Sequence, residues 1–119
     1  MTVNKIGVVY ERPWGTYKTL YLSDNCQVKI ITVKPRGRLS LQKHNQRSEH
    51  WVVIAGTPTI TVGNQSKQMK VNEAVFIPVT VVHRLENLTD KPAVVIEVQL
   101  GTYLGEDDIV RLHDVYERE

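Results

Sequence analysis

The chain has 119 residues, enough to bury a core but too few for two domains, so a single domain spanning residues 1–119 is expected. Fifteen basic and thirteen acidic residues leave a net charge of +2, and no single-sign block exceeds Glu106-Asp107-Asp108, which excludes a basic nucleic-acid footprint. The lone Cys26, the lack of a signal-like apolar run in Met1 to Tyr10 and the lack of 18 consecutive apolar residues point to a cytoplasmic chain without membrane association.

Short segments rich in β-branched residues recur along the chain, separated by turn residues, as in a sandwich or barrel. The predicted strands are Tyr17–Leu22, Gln27–Val33, Leu39–His44, His50–Ala55, Thr57–Val62, Ser66–Val71, Ala74–Ile77, Val81–Asn87 and Ala93–Leu100. Ser23-Asp24-Asn25, Pro35-Arg36-Gly37, Gly63-Asn64 and Thr89-Asp90-Lys91-Pro92 punctuate them. Glu106–Tyr116 reads either as a helix, with three acids at its N-terminus and Ile109, Leu112 and Val115 or Tyr116 at helical spacing, or as an edge strand. The fold class is therefore all-β.

Gln42 and His44 are two apart, so on a strand both project from one face, as two ligands of one ion must. Glu49 follows a short polar loop. A strand beginning there gives it the same face as Trp51 and Val53, with His50, Val52 and Ile54 on the other. The fourth candidate, His83, shares a face with Val81 and Leu85. Ligands this far apart in sequence meet on antiparallel strands only if the sheet curls into a barrel.

The spacing Gly37-x4-Gln42-x-His44-x4-Glu49-x6-Gly56, followed by Pro78-x4-His83-x3-Asn87, resembles the paired motifs of the cupins, G-x5-H-x-H-x3,4-E-x6-G and G-x5-P-x-G-x2-H-x3-N. Gln42 stands where many cupins have His, Thr80 at a usual Gly, and Asn72 or Glu73 at the leading Gly. The resemblance implies a double-stranded β-helix, or jelly-roll barrel. It narrows to type II mannose-6-phosphate isomerases, the isomerase half of bifunctional enzymes with mannose-1-phosphate guanylyltransferase. The segments that carry it are Arg12-Pro-Trp-Gly15, Leu39 to Trp51, Ile77-Pro78, His83-Arg-Leu-Glu-Asn87 and Ile96 to Arg111. Asp114-Val-Tyr116-Glu-Arg118 is similar to the family's D-x-Y-G-R ending, with Glu117 in place of Gly. Nothing resembles the nucleotidyltransferase half, so the resemblance implies a stand-alone isomerase.

It implies the interconversion of mannose 6-phosphate and fructose 6-phosphate, supported by a divalent metal on Gln42, His44, Glu49 and His83. Zinc is the expected ion, with cobalt, manganese, nickel and iron also compatible with two imidazoles, a carboxylate and an amide oxygen. Isomerisation needs a base to move a proton between C1 and C2 and an electrophile for the developing oxyanion. Glu97, in the apolar run Val94 to Val98, is the preferred base over His50. Arg47, Arg84 and Arg111 are candidates for the phosphate, Arg111 also for a catalytic role by resemblance. Arg84, opposite in alternation to His83, could instead be solvated. Lys29, Lys34, Arg36 and Arg38 read as a solvated turn cluster, and Trp14 and Trp51 as core or as sugar-stacking residues. The runner-up reading is a non-catalytic metal-cupin module that binds a sugar phosphate. A third, oxygen-dependent iron chemistry, fits less well with Gln42 at a His position. By analogy with related barrels, the chain is expected to pair as a homodimer.

Overall fold

The computed structural model describes residues 4–116, among which every regular element is a strand. In chain order these are β1 (Val9–Arg12), β2 (Gly15–Leu22), β3 (Cys26–Val33), β4 (Leu41–Lys43), β5 (Arg47–Ala55), β6 (Thr59–Val62), β7 (Gln65–Gln68), β8 (Ala74–Ile77), β9 (His83–Glu86), β10 (Ala93–Gly101) and β11 (Val110–His113). They form a six-stranded sheet, β1-β2-β3-β10-β5-β8, and a five-stranded sheet, β11-β4-β9-β6-β7. All strand pairings are antiparallel, giving the two-sheet jelly-roll arrangement.

Strand alternation decides what faces the interior. Along β3, β5 and β10 every second residue is buried. The buried set changes character along the strands. Val33, Val53, Val95 and Ile31 join Trp14, Tyr17 and Leu85 in an apolar core, whereas Gln27, Lys29, Glu49, Glu97 and Gln99 occupy the same sheet face towards the other strand ends. One half of the interior is therefore a conventional core and the other half is polar.

Glu106–Tyr116 forms no helix; its regular part is the edge strand β11, paired with β4. The acids that would have capped a helix are committed elsewhere. Glu106 pairs with Lys29 on β3, and Asp107 accepts a bond from the Tyr103 hydroxyl. Asp108 accepts from the backbone N–H groups of Asn45 and Gln46 at 3.0 and 2.9 Å, and so pins the loop between β4 and β5. Strand β1, which the propensities did not mark, pairs along β2 from Val9 to Arg12.

The turn before His83 keeps a glycine-like shape without glycine. Thr80 adopts φ 71° and Asn72 φ 78°, so Asn72, not Glu73, occupies the left-handed position at the head of the second motif. Asn tolerates that region, but a β-branched residue there costs about 1–3 kcal/mol. The strain is held by Thr80 N–H donating to the His44 carbonyl at 2.8 Å, which ties the turn to the residue that carries the first imidazole. Thr80→Gly is expected to raise stability by about 1 kcal/mol, the relief of strain less the added entropy of the unfolded chain. Thermal unfolding of the two proteins measures it.

Candidate functional site

The five-stranded sheet contributes one row of side chains. Gln42 on β4 lies directly opposite His83 on β9 and Arg111 on β11, and opposed residues on antiparallel strands share a face. All three line the same cavity. The six-stranded sheet supplies the facing wall, where Trp51, Glu97 and Lys29 stand in a row across β5, β10 and β3, beside Glu49. His44 enters from the residue just after β4.

Three of the four expected ligands converge. His44 Nε2 is 3.1 Å from Glu49 Oε2, and His83 Nε2 is 3.2 Å from His44 Nε2 and 3.9 Å from Glu49 Oε1. The potential ligand atoms of His44, Glu49 and His83 all lie within 4.8 Å of one another. Each imidazole has its other nitrogen against a backbone carbonyl: His44 Nδ1 lies 2.7 Å from the Asp108 oxygen and His83 Nδ1 2.9 Å from the Val81 oxygen. With each Nδ1–H donated outward, both Nε2 lone pairs point at one another and at a carboxylate. Such a cluster of acceptors is stable when a cation lies among them, so the donor set fits a divalent ion of the zinc, manganese or iron type. Gln42 donates its amide to Ser40 Oγ at 2.9 Å, which orients the carboxamide at the cavity wall.

Glu49 is almost wholly removed from solvent. Burial opposes its charge, but a hydrogen bond and charge from His44 when a proton rather than an ion occupies its Nε2, together with the charge of Arg47, hold its carboxyl well below the usual range. Arg47 Nε donates to Oε2 at 2.9 Å, and Trp51 Nε1 donates to Oε1 at the same distance. The same indole N–H lies 3.0 Å from Glu97 Oε2, so Trp51 bridges the two carboxyl groups. Burial, and then the negative charge of Glu49, push Glu97 up to about 8, with Lys29 acting against the rise. Its other oxygen accepts from Gln99 Nε2 at 2.6 Å; Gln99 in turn accepts from Gln27, whose oxygen is held by Thr19 and Asn4. Burial also lowers the His83 pKa, favouring the neutral ring a ligand requires.

The structure changes the expectations for the basic residues. Arg47, expected in the loop between the ligands and able to reach the barrel mouth, instead opens β5 and is buried against Glu49, with Nη2 3.3 Å from His44 Nε2. Arg84 lines the cavity and is buried, so the solvated reading does not hold; Nε donates to the Leu39 carbonyl and Nη2 lies against His113. Arg111 lines the cavity as expected. His50 is excluded as a base because it points out of the barrel and stacks on Phe76, with ring centroids 4.7 Å apart. Trp51 is core, edge-on to His83.

Lys29 is not part of a solvated turn: it is buried in the cavity wall, 2.7 Å from Glu106. The alternation of Gln27, Lys29, Ile31 and Val33 within the predicted strand already carried that signal. Arg12, which also lines the cavity, lies over the rings of Tyr17 and Tyr10 at 5.3 and 5.9 Å. Its position depends on β1, which the sequence did not mark.

With this geometry in hand, residues 3–114 match the family described as "Mannose-6-phosphate isomerase C-terminal". The chain belongs to that family. Within it, alginate biosynthesis protein AlgA of Pseudomonas aeruginosa is 50% identical over 107 residues, covering 90% of this chain and 22% of AlgA. Mannose-1-phosphate guanylyltransferase ManC of Salmonella typhimurium is 48% identical over 107 residues, with 90% and 22% covered. The chain thus spans about a fifth of the length of these curated relatives. Among solved structures, Bacillus subtilis oxalate decarboxylase, studied for its Mn(II) centers, superposes with a TM-score of 0.75 at 20% identity, covering 87% of this chain and 29% of that one. The fold is that of the cupins. The family's C-terminal motif falls partly on Glu117 and Arg118, which lie outside the described residues.

The Lys29–Glu106 pair of this isomerase-family barrel gives a pH test that does not touch the ligand cluster. Burial opposes the Glu106 charge, but Lys29 and then Arg47 and Asn4 hold its pKa below the usual range. A depressed folded pKa contributes stability that is present above the unfolded value of about 4.3 and is lost as pH falls through the folded value. Glu106→Gln, which leaves Lys29 buried without its partner, is expected to cost about 2–4 kcal/mol at pH 7. The gap from wild type should close as pH drops below 4, where wild-type Glu106 is also neutral. Urea unfolding at a series of pH values measures both.

Proposed function

We propose that this barrel is a metal-dependent aldose–ketose isomerase that interconverts mannose 6-phosphate and fructose 6-phosphate, with the activity resident in this single domain. The observation that carries the reading is the juxtaposition of an acceptor cluster suited to a dication with a buried second carboxyl, Glu97, bridged to it by Trp51. Its membership of the isomerase family supplies the substrate class.

His44, Glu49, His83 and Gln42 would hold the ion, zinc being our assignment, and its charge would stabilise the oxygen on which negative charge develops during enolisation. Glu97 is assigned as the base that carries the proton between C1 and C2. Its raised proton affinity suits a group that must accept and return a proton near neutral pH. Gln99 and Trp51 fix the carboxyl so that no reorganisation precedes transfer. Arg47 keeps Glu49 ionised and, with Lys29, makes the wall electropositive; Arg111 and Arg12 are assigned to the phosphate, while Arg84 braces β9 against β11. A cytoplasmic location follows from this substrate class and is supported by the unpaired thiol of Cys26; no helix among the described residues is long and apolar enough to cross a membrane. We also assign the chain to a homodimer.

A coupled assay with mannose 6-phosphate should show turnover that chelator abolishes and Zn²⁺, Co²⁺ or Mn²⁺ restores. A fully metallated protein that binds the sugar phosphate without turnover would instead make the site a binding module. Elemental analysis of His83→Ala should show loss of the ion. Glu97→Gln should retain the ion and lose about 10²–10⁴-fold in kcat.

A further inference from the structure

We propose that the buried Lys29–Glu106 pair opens and closes the sugar ring, Glu106 taking the proton of the anomeric hydroxyl and Lys29 delivering one to the ring oxygen. This rests on the isomerase reading above and adds to it the step that must precede enolisation.

A hexose 6-phosphate in water is almost wholly a cyclic hemiacetal, with no carbonyl at C1 and so no acidified proton at C2. Glu97 can enolise only the open aldehyde. Opening needs a base at O1 and an acid at O5, two oxygens bonded to the same carbon, so the two groups must be neighbours. Glu97, with one oxygen held by the Trp51 indole and the other by Gln99, is engaged with the C1–C2 proton.

Elimination among the ionisable groups of the cavity wall leaves one pair. The two imidazoles and Glu49 belong to the ion, the guanidiniums do not give up protons, and the Tyr17 hydroxyl already donates to Asn4 Oδ1 at 2.9 Å. What remains is an acid and a base in contact, Lys29 Nζ 2.7 Å from Glu106 Oε2, both lining the cavity. Lys29 lies directly opposite Glu97 in the register of β3 and β10, on the same inner face. Side chains opposed in this way start about 4.5–5.5 Å apart, so one bound sugar can meet Glu97 at C1 and C2 and Lys29 at O5.

Each member has a site left for the sugar. The Lys29 ammonium has three protons, of which the Glu106 bond takes one, and it lies 4.2 Å from the centre of the Tyr17 ring. Lys29 and Asn4 both bond Glu106 Oε2, and Oε1 has no hydrogen-bond partner among the described residues. The pair is also self-timing. Burial opposes the Glu106 charge, and the charge and hydrogen bond of Lys29 override it. Once Lys29 has given its proton to O5 that charge is gone, and Glu106 becomes a stronger base as the O1 proton leaves.

In the opening step the O1–H proton passes to Glu106 and the O1–H electron pair forms the C1=O1 bond. The C1–O5 bond breaks with its pair on O5, which takes a proton from Lys29. The proton on Glu106 then returns to Lys29 within the pair, and the starting charges are restored. Closure of the ketose at C2 runs the same transfers in reverse.

Magnetisation transfer between the α and β anomeric protons of mannose 6-phosphate reads ring opening apart from isomerisation. Metallated Glu97→Gln, which cannot carry the C1–C2 proton, should still speed anomer exchange above the rate in buffer. Adding Lys29→Arg, which keeps the charge and the ion pair but has no proton to give, should lower that exchange about 10²-fold, and adding Glu106→Gln should do the same. Should Lys29→Arg fail to fold, Lys29→Met with Glu106→Gln, a neutral pair of similar size, takes its place. A far-ultraviolet spectrum and metal content matching the parent identify a folded variant. A structural or purely electrostatic role is satisfied by Lys29→Arg, so undiminished anomer exchange in folded Lys29→Arg or Glu106→Gln protein overturns the assignment. Glu97→Gln that exchanges anomers no faster than buffer, while wild type isomerises, overturns it as well. Wild type that exchanges anomers in a Lys29-dependent way yet forms no fructose 6-phosphate would overturn the isomerase reading and leave the ring-opening pair standing.

Discussion

Glu49 is a charge held where water does not reach, and the arrangement of the barrel interior answers to it. An isolated buried carboxylate would simply take up a proton, at a penalty of several kcal/mol for staying ionised. Here two strong donors, the Arg47 guanidinium and the Trp51 indole, grip separate oxygens, and both come from the same strand as Glu49 itself. Local alternation is enough to assemble that grip, because residues 47, 49 and 51 necessarily share a face. The two imidazoles arrive from the opposite sheet and meet a carboxylate already oriented.

From Trp51 the polar interior continues through Glu97, Gln99 and Gln27 to Thr19 and Asn4, crossing the sheet from β5 to β2. Each amide both donates and accepts, so every link constrains the next, and a rotation of Gln27 would be felt at Glu97. In a low-dielectric interior such a chain is rigid when complete. It converts half of a small barrel's core into a scaffold for one carboxyl group. The stabilising apolar contacts are left to the other half, around Trp14, Val33, Val53 and Val95.

Much of this was legible in the sequence because the decisive spacings are short. Gln42, His44 and Glu49 fall within eight residues that lead from β4 to β5, and strand alternation alone gives Glu49 the interior and His50 the exterior. His83 required the barrel to close, and its place opposite Gln42 follows from sheet topology rather than from spacing. What escaped the reading depended on partners distant in sequence. Arg47 looked like a loop residue until β5 was seen to begin with it, and Lys29 looked solvated although its strand neighbours Gln27 and Ile31 already marked the inner face. The acidic run at Glu106 imitates a helix start, because a helix and a set of separate side-chain contacts draw on the same carboxylates. Thr80 shows the converse case, a backbone shape preserved after the residue that favours it has gone.

The six-stranded sheet carries Lys29, Glu49 and Glu97 on its inner face and several valines and isoleucines on the outer face of β3, β5 and β10, which bears on how the chain finds its strand register. In most half-exposed sheets a one-residue slip would carry the apolar residues into water and be rejected by solvation alone. Here a one-residue slip of β10 would turn Val94, Ile96 and Val98 inward and Glu97 and Gln99 outward, an arrangement that a simple hydrophobic criterion would not reject. Discrimination therefore falls to features that count residues. Among them are the irregularities between Thr19 and Tyr21 and between Val94 and Val95, and the turn at Gly56, where φ is 75° and an added Cβ would lie 2.5 Å from the Pro92 carbonyl oxygen. The turns and bulges of this barrel act as its frame markers, and the folding code at this sheet is written in lengths as much as in hydrophobicity.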